Sequence, residues 1–213
     1  MKKLILALLI LAGTVHAQSL IVISGSKTVA VAGFSDTFPG TGALSASWTT
    51  PGTWTGGQLA AATKSSGAIC TTNYGDLCLA YATGYTAPNN QIATIAVTTA
   101  PTIYEGFGVL VRANGAGNGY WMHGNGNTPI ELDICTSGSC AAAAYSFCGG
   151  LIAAGSTYSL GVHGNVLTCY VNAVAAGTPY TDASNTYTSG YVGFEMNVYT
   201  GGGKIGSFTA AAN

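Results

Sequence analysis

Charge is what this sequence has least of. Six Lys/Arg and seven Asp/Glu in 213 residues make 6% of the chain, against roughly 25% in an ordinary globular domain. Helical surfaces are built from Glu and Lys, and without them a helical protein is excluded. Scattered cations make no basic stripe, so a phosphate backbone has nothing to bind and nucleic acid is excluded as a partner. Long apolar runs are missing as well. The one stretch near the start, Leu4 to Ala12, falls short of the roughly 20 residues a bilayer span requires. No Cys-x-x-Cys pair offers a zinc site, and no Gly-x-Ser-x-Gly offers a serine nucleophile. No fixed-period repeat is present, which argues against a solenoid or propeller.

The short apolar run has another explanation. Met1-Lys2-Lys3 is a positive start, and Val15-His16-Ala17 places small residues where a signal peptidase reads them. A cut after Ala17 leaves 196 residues, 18–213, enough for one domain with a substantial core. It also leaves four cations, Lys27, Lys64, Arg112 and Lys204, against seven acids, a net charge of −3. The protein is expected outside the cell or on its surface, with no membrane span in the mature chain.

All six cysteines lie beyond the cut, and an even number behind a signal peptide reads as disulfides. Spacing favours local pairs. Cys135 and Cys140 close a hairpin, Cys70 and Cys78 bracket a loop, and Cys148 with Cys169 remain.

β-Branched and aromatic residues separated by glycine predict many short strands: 20–23, 28–33, 58–63, 77–82, 91–99, 106–113, 119–124, 130–135, 143–147, 157–163, 166–172, 190–199 and 204–210. So many strands in one domain mean an all-β protein of two packed antiparallel sheets. The N-terminal and C-terminal strands are expected side by side at one edge. Alternation assigns the faces. Phe107, Val109 and Val111 oppose Leu110 and Arg112; Ile130, Leu132 and Ile134 oppose Glu131 and Asp133; Val192, Phe194, Met196 and Val198 oppose Glu195, Asn197 and Tyr199. One dry face and one wet face suit a sandwich.

Five pieces of the chain, in order from residue 34 to 210, resemble the concanavalin A-like lectin/glucanase superfamily and its LamG-like members. They are Asp36-Thr-Phe38 with Leu44 and Trp48, Gly108-Val-Leu-Val-Arg112 with Gly119-Tyr-Trp121, and Tyr158 to Asn165 with Leu167 to Asn172. Gly190-Tyr-Val-Gly193-Phe194 and Ile205-Gly-Ser-Phe208 complete the set. The resemblance implies a jelly-roll sandwich. In many members an Asp helps hold a structural calcium ion where Gly206 stands here, so no cofactor and no metal ligand is assigned.

Ile130-Glu-Leu-Asp-Ile134 resembles the core of the retaining-glucanase motif Glu-x-Asp-x-(x)-Glu. Residues two apart on a strand share a face, so Glu131 and Asp133 stand side by side. The third carboxyl, the acid, has no counterpart: Cys135 and Thr136 occupy its place. If 106–113, 119–124 and 130–135 form a meander, Arg112, Trp121, His123, Glu131 and Asp133 gather on one exposed face. An aromatic platform beside charged hydrogen-bonding groups suits a sugar, whereas a plain cross-strand ion pair would be worth only about 0.2–1 kcal/mol. Of Trp48 and Trp54, one is expected in the core and the other over it. His163 faces a turn without a partner nearby in sequence.

Three functions stay open. A non-catalytic carbohydrate-binding or adhesion protein, with a glycan or extracellular polymer as partner, leads. A glycoside hydrolase or lyase using Glu131, Asp133 and Glu195 is the second, and a structural extracellular protein rich in its 31 glycines the third.

Overall fold

The computed structural model describes residues 33–50, 59–70, 77–103, 105–197 and 202–213. The strand expected at 20–23, all but the last residue of that at 28–33, Val198 and Tyr199 of that at 190–199, the cleavage site and Trp54 lie outside the described residues. Short strands come first: β1 (Phe34–Asp36), β2 (Thr41–Ala43), β3 (Trp48–Thr49), β4 (Leu59–Ala60), β5 (Thr63–Ser65) and β6 (Ala68–Ile69). Longer ones follow: β7 (Leu77–Ala82), β8 (Gln91–Thr99), β9 (Gly106–Asn114), β10 (Asn118–Asn125), β11 (Ile130–Thr136) and β12 (Ser139–Gly149). The last five are β13 (Thr157–His163), β14 (Val166–Val171), β15 (Val174–Thr181), β16 (Tyr191–Asn197) and β17 (Lys204–Ala212). No helix interrupts them among the described residues, and none is long and apolar enough to cross a membrane.

They form two sheets. The first runs β15-β14-β13-β8-β17-β6-β5-β2, with β1 also on β17; the second runs β12-β11-β10-β9-β16-β7-β3, with β4 beside β7. Every pairing is antiparallel except β4 with β7. The all-β, two-sheet jelly roll expected from strand count and face alternation is the fold. The first described strand does pair with the last, but β17 lies inside its sheet rather than at an edge.

Inward residues of both sheets interdigitate as alternation requires. Val109 and Val111 of β9, Tyr120 and Met122 of β10, and Phe194 and Met196 of β16 meet Ile95, Leu160 and Phe208 of the first sheet. Asp36 fastens one corner: its Oδ1 accepts the Phe38 backbone N–H at 2.7 Å and its Oδ2 accepts Trp48 Nε1–H at 2.8 Å. Trp48 is the core tryptophan, edge-on to Phe34, Phe194 and Phe208. All three disulfides take the local pairing. Cys135–Cys140 closes the β11–β12 hairpin across paired residues, Cys148–Cys169 ties β12 of the second sheet to β14 of the first, and Cys70–Cys78 follows β6 into β7.

Candidate functional site

Outward residues of β9, β10, β11 and β16 build the candidate site on the second sheet. The register pairs His123 with Glu131 and Trp121 with Asp133 across β10–β11. On the other side His123 faces Gly108, and Gly108 faces Glu195 of β16. Leu110 stands between Trp121 and Gly193 in the next row. Period-two alternation therefore puts Trp121, His123, Glu131 and Asp133 on one side of one sheet, and the pairing of β9 with β16 brings Glu195 to the same side.

Arg112 is not among them, and the expectation that it shares this face is corrected. Asn118 pairs with Asn114 but Tyr120 with Val111, so β9 holds one residue more than its partner at this point. The same slip recurs against β16. Arg112 carries the extra residue in a left-handed conformation, φ 48°, and such a bulge reverses the direction of the side chains after it. The chain opposite must approach closely. Gly190 allows it, since a Cβ there would stand 2.5 Å from the Arg112 carbonyl carbon. Arg112 consequently turns into the end of the sandwich and is 3% exposed. Its guanidinium donates to the carbonyls of Asn89 (3.0 and 2.9 Å), Tyr187 (2.7 Å) and Gly164 (2.7 Å), and its backbone N–H to Gln91 Oε1 (2.9 Å). Burial pulls the guanidinium below its usual pKa, opposed by nearby Tyr120 and Asp182. An open pocket of about 410 Å³ at this end is lined by Arg112 with Asn89, Asn90, Asn165, Asn185 and Thr188 among others.

Tyr120 and Asp182, which sequence reading passed over, complete that end. Tyr120 Oη donates to Asp182 Oδ2 at 2.6 Å and accepts the Tyr187 N–H at 3.1 Å. Burial, followed by the bond to Asp182, pushes the Tyr120 hydroxyl up to about 12. Burial works against the Asp182 carboxylate, but Tyr120 and the Thr186 and Ser184 N–H groups outweigh it and hold its pKa below the usual value. Asp182-Ala-Ser-Asn-Thr186 is a turn wrapped around its own carboxylate, which the residue types alone suggest.

The candidate face also differs from a simple wet surface. Trp121 is 2% exposed and packs with Leu77, Leu79, Tyr81, Leu110, Ala113 and Cys135 in a second apolar cluster, against which Leu59 leans. Trp121 is thus part of a packed layer, not an open platform, and the expected exposed face is corrected to a largely covered one. Asp133 and Glu195 are each 6% exposed; His123 and Glu131 are half-buried. His123 Nε2 lies 3.3 Å from Asp133 Oδ2. Asp133 Oδ1 and Glu195 Oε2 are buried without a hydrogen-bond partner. Burial pushes the Asp133 carboxyl up, His123 opposing and Glu131 adding to the rise. The Glu195 carboxyl is raised by burial too, with His123 opposing and Asp133 adding.

Cys135, where the glucanase motif needs its acid, is consumed in the disulfide with Cys140. His163 is exposed on β13, its Nδ1 3.4 Å from the Asn213 carbonyl, remote from the candidate face. Gly206 packs on Thr98, whose methyl a Cβ would overlap.

Comparison with solved structures identifies the architecture. The chain is similar to a mutant of SCLam, a non-specific endo-β-1,3(4)-glucanase from family GH16, at 14% identity, TM-score 0.56, with 90% of this chain and 96% of that one covered. The β-porphyranase from the human gut bacterium Bacteroides plebeius aligns at 10% identity, TM-score 0.54, covering 87% and 94%. The carbohydrate binding module CBM66 from Bacillus subtilis aligns at 13% identity, TM-score 0.50, covering 78% and 92%. The chain has the concanavalin A-like jelly-roll fold. No protein-family model matches it, and no curated protein does.

Proposed function

We propose that this is a secreted carbohydrate-binding protein that holds a glycan on the outer side of β9–β11 without cleaving it. The observation that carries the reading is the cross-strand pair His123 and Glu131, half-exposed directly beside buried Asp133 and Trp121. Two polar groups held at the solvent edge of a packed apolar layer give a sugar hydrogen-bond partners in a fixed position. Three disulfides fit an oxidising compartment, and sugar-active proteins sharing the fold agree with the class of ligand. The absence of cleavage follows from Cys135, since that strand supplies no proton donor for a leaving group. Glycan-array binding by the wild type, lost in His123→Ala and Glu131→Gln but retained in His163→Ala, is the expected result. Trp121→Ala is a poor probe, because removing a buried tryptophan costs about 3–5 kcal/mol of stability.

One observation favours a second reading, a glycoside hydrolase. Glu195 is a buried carboxyl with a raised pKa near Asp133 and His123, the environment a general acid needs. Reducing-sugar release from a β-glucan, abolished by Glu195→Gln, would replace the binding reading with this one.

A further inference from the structure

The same side chains carry a consequence that does not depend on sugar. Three metal-ligating groups from two adjacent strands converge here: donor atoms of His123, Glu131 and Asp133 all lie within 4.8 Å of one another. Donors bound to one zinc ion at about 2.0–2.2 Å stand roughly 3.4 Å apart in a tetrahedral site. His123 Nε2 and Asp133 Oδ2 already meet that spacing at 3.3 Å, and half-buried Glu131 has the rotamer freedom to follow.

A cluster of acids is common on a protein surface; what marks this one is buried and unanswered charge. Glu195 is 94% buried by its 6% exposure, and its Oε2 has no partner. It leans across the strand between: a Cβ on Gly108 would stand 2.7 Å from Glu195 Oε2 and 3.1 Å from His123 Cβ. Gly108 thus opens the lane through which this carboxylate reaches toward the His123–Asp133 pair. Asp133 offers a second unpartnered oxygen, Oδ1, equally buried. No lysine or arginine answers them among the described residues. Lys64 and Lys204 sit on the first sheet, Lys204 Nζ bonded to the Ser65 carbonyl, and Arg112 is spent on carbonyls at the end of the sandwich. Three carboxylates facing a single imidazole lack a cation.

The geometry points to a divalent transition-ion site in which His123, Glu131 and Asp133 are ligands and Glu195 supplies the adjoining buried negative charge. One nitrogen with carboxylate oxygens matches borderline ions such as zinc better than calcium, which takes six to eight oxygens. The place also differs from the family's calcium position, which falls at Gly206 on β17 of the first sheet.

The test uses the full secreted protein, stripped with EDTA and titrated with zinc by calorimetry, with cobalt as a spectroscopic stand-in. One zinc per chain is expected, with a melting midpoint raised by about 5–10 °C at a hundredfold excess over Kd. His123→Ala and Glu131→Gln should each weaken binding by about 100-fold, and Glu195→Gln by about tenfold. His163→Ala should leave it unchanged. Both ligand positions are half-buried, and melting in EDTA establishes that the variants are folded. Cobalt should give the visible absorption of an imidazole–carboxylate site, absent in His123→Ala. No saturable zinc binding, zinc binding untouched by both ligand substitutions, or calcium bound in zinc's place would overturn the proposal. Failure on the glycan array would not, because the ligand set stands without a sugar.

Discussion

Two regions of this molecule bury charge, and they handle it in opposite ways. At the end of the sandwich, Arg112 is enclosed by the carbonyls of Asn89, Tyr187 and Gly164, with Asp182 tied to Tyr120 close by. Nearly every donor and acceptor there has an answer, so the charge organises loops from both sheets. On the outer face of the second sheet, Asp133 and Glu195 are as deeply buried, yet each keeps an oxygen without a partner and they share one imidazole. Burying a charge is tolerable when it is fully hydrogen-bonded and costly when it is not. The first region is built to hold the fold, the second at its expense. In a chain with so few charges, carboxylates kept in that condition are where the proposed ligand would be bound.

Substitutions sharpen the contrast. The largest effect belongs to Arg112→Ala, which strands the three carbonyls of Asn89, Tyr187 and Gly164; a loss of about 3–5 kcal/mol is expected, read from the urea midpoint. A loss under about 1 kcal/mol would erase the distinction between the regions. Tyr120→Phe removes the bond to Asp182 and should cost about 1–2 kcal/mol at neutral pH. Its sign with pH is fixed by the lowered Asp182 pKa. That stabilisation is present above the ordinary carboxylate pKa and is lost as pH falls through the depressed folded value, so the gap between variant and wild type should narrow in acid.

The acidic face predicts the reverse. The Glu195 and Asp133 pKa values are raised in the fold, by burial first, so the folded state binds their protons more tightly than the unfolded chain. Stability of the metal-free protein should therefore fall as pH rises from the ordinary carboxylate range through the raised values. His123 opposes both rises, and Glu131 adds to that of Asp133. Glu195→Gln should flatten it and stabilise the metal-free protein by about 1 kcal/mol above neutrality, seen in melts across pH. The smallest effect serves as the reference: exposed His163→Ala should stay within about 0.5 kcal/mol of wild type.

Sequence reading reached the fold because the recurring motif pieces are the wiring itself. Asp36, Phe38 and Trp48 are spaced so that one carboxylate caps a backbone N–H and an indole. Alternation placed Trp121, His123, Glu131 and Asp133 on a common face because β10 and β11 pair without a slip there; that Glu195 joins them depends on β16 lying beside β9, which alternation does not reveal. It failed at Arg112, where a bulge shifts the period by one and leaves no local mark; its correlates are distant, a glycine at 190 and a glutamine at 91. Depth was equally illegible. Whether an outward tryptophan meets water depends on what covers the sheet, and Leu59 and Tyr81 arrive from strands that its own neighbourhood does not announce. β15 was missed because Pro179 and Gly177 speak against a strand, yet at the border of a sheet a proline sacrifices no ladder bond.

The place of β17 has a consequence for how the chain comes together. It joins β8 along Lys204–Ala212, β1 through Phe34–Asp36, and β6 at Ile205. This one segment is therefore what knits the first sheet. Until it docks, β8 lacks a neighbour on one side, and Phe34 and Trp48 lack Phe208. Contacts this distant in sequence form only after the intervening loops are closed, which makes assembly slow and late. Without β17 the first sheet stays open, so the fold closes only when this segment has joined β8, β1 and β6.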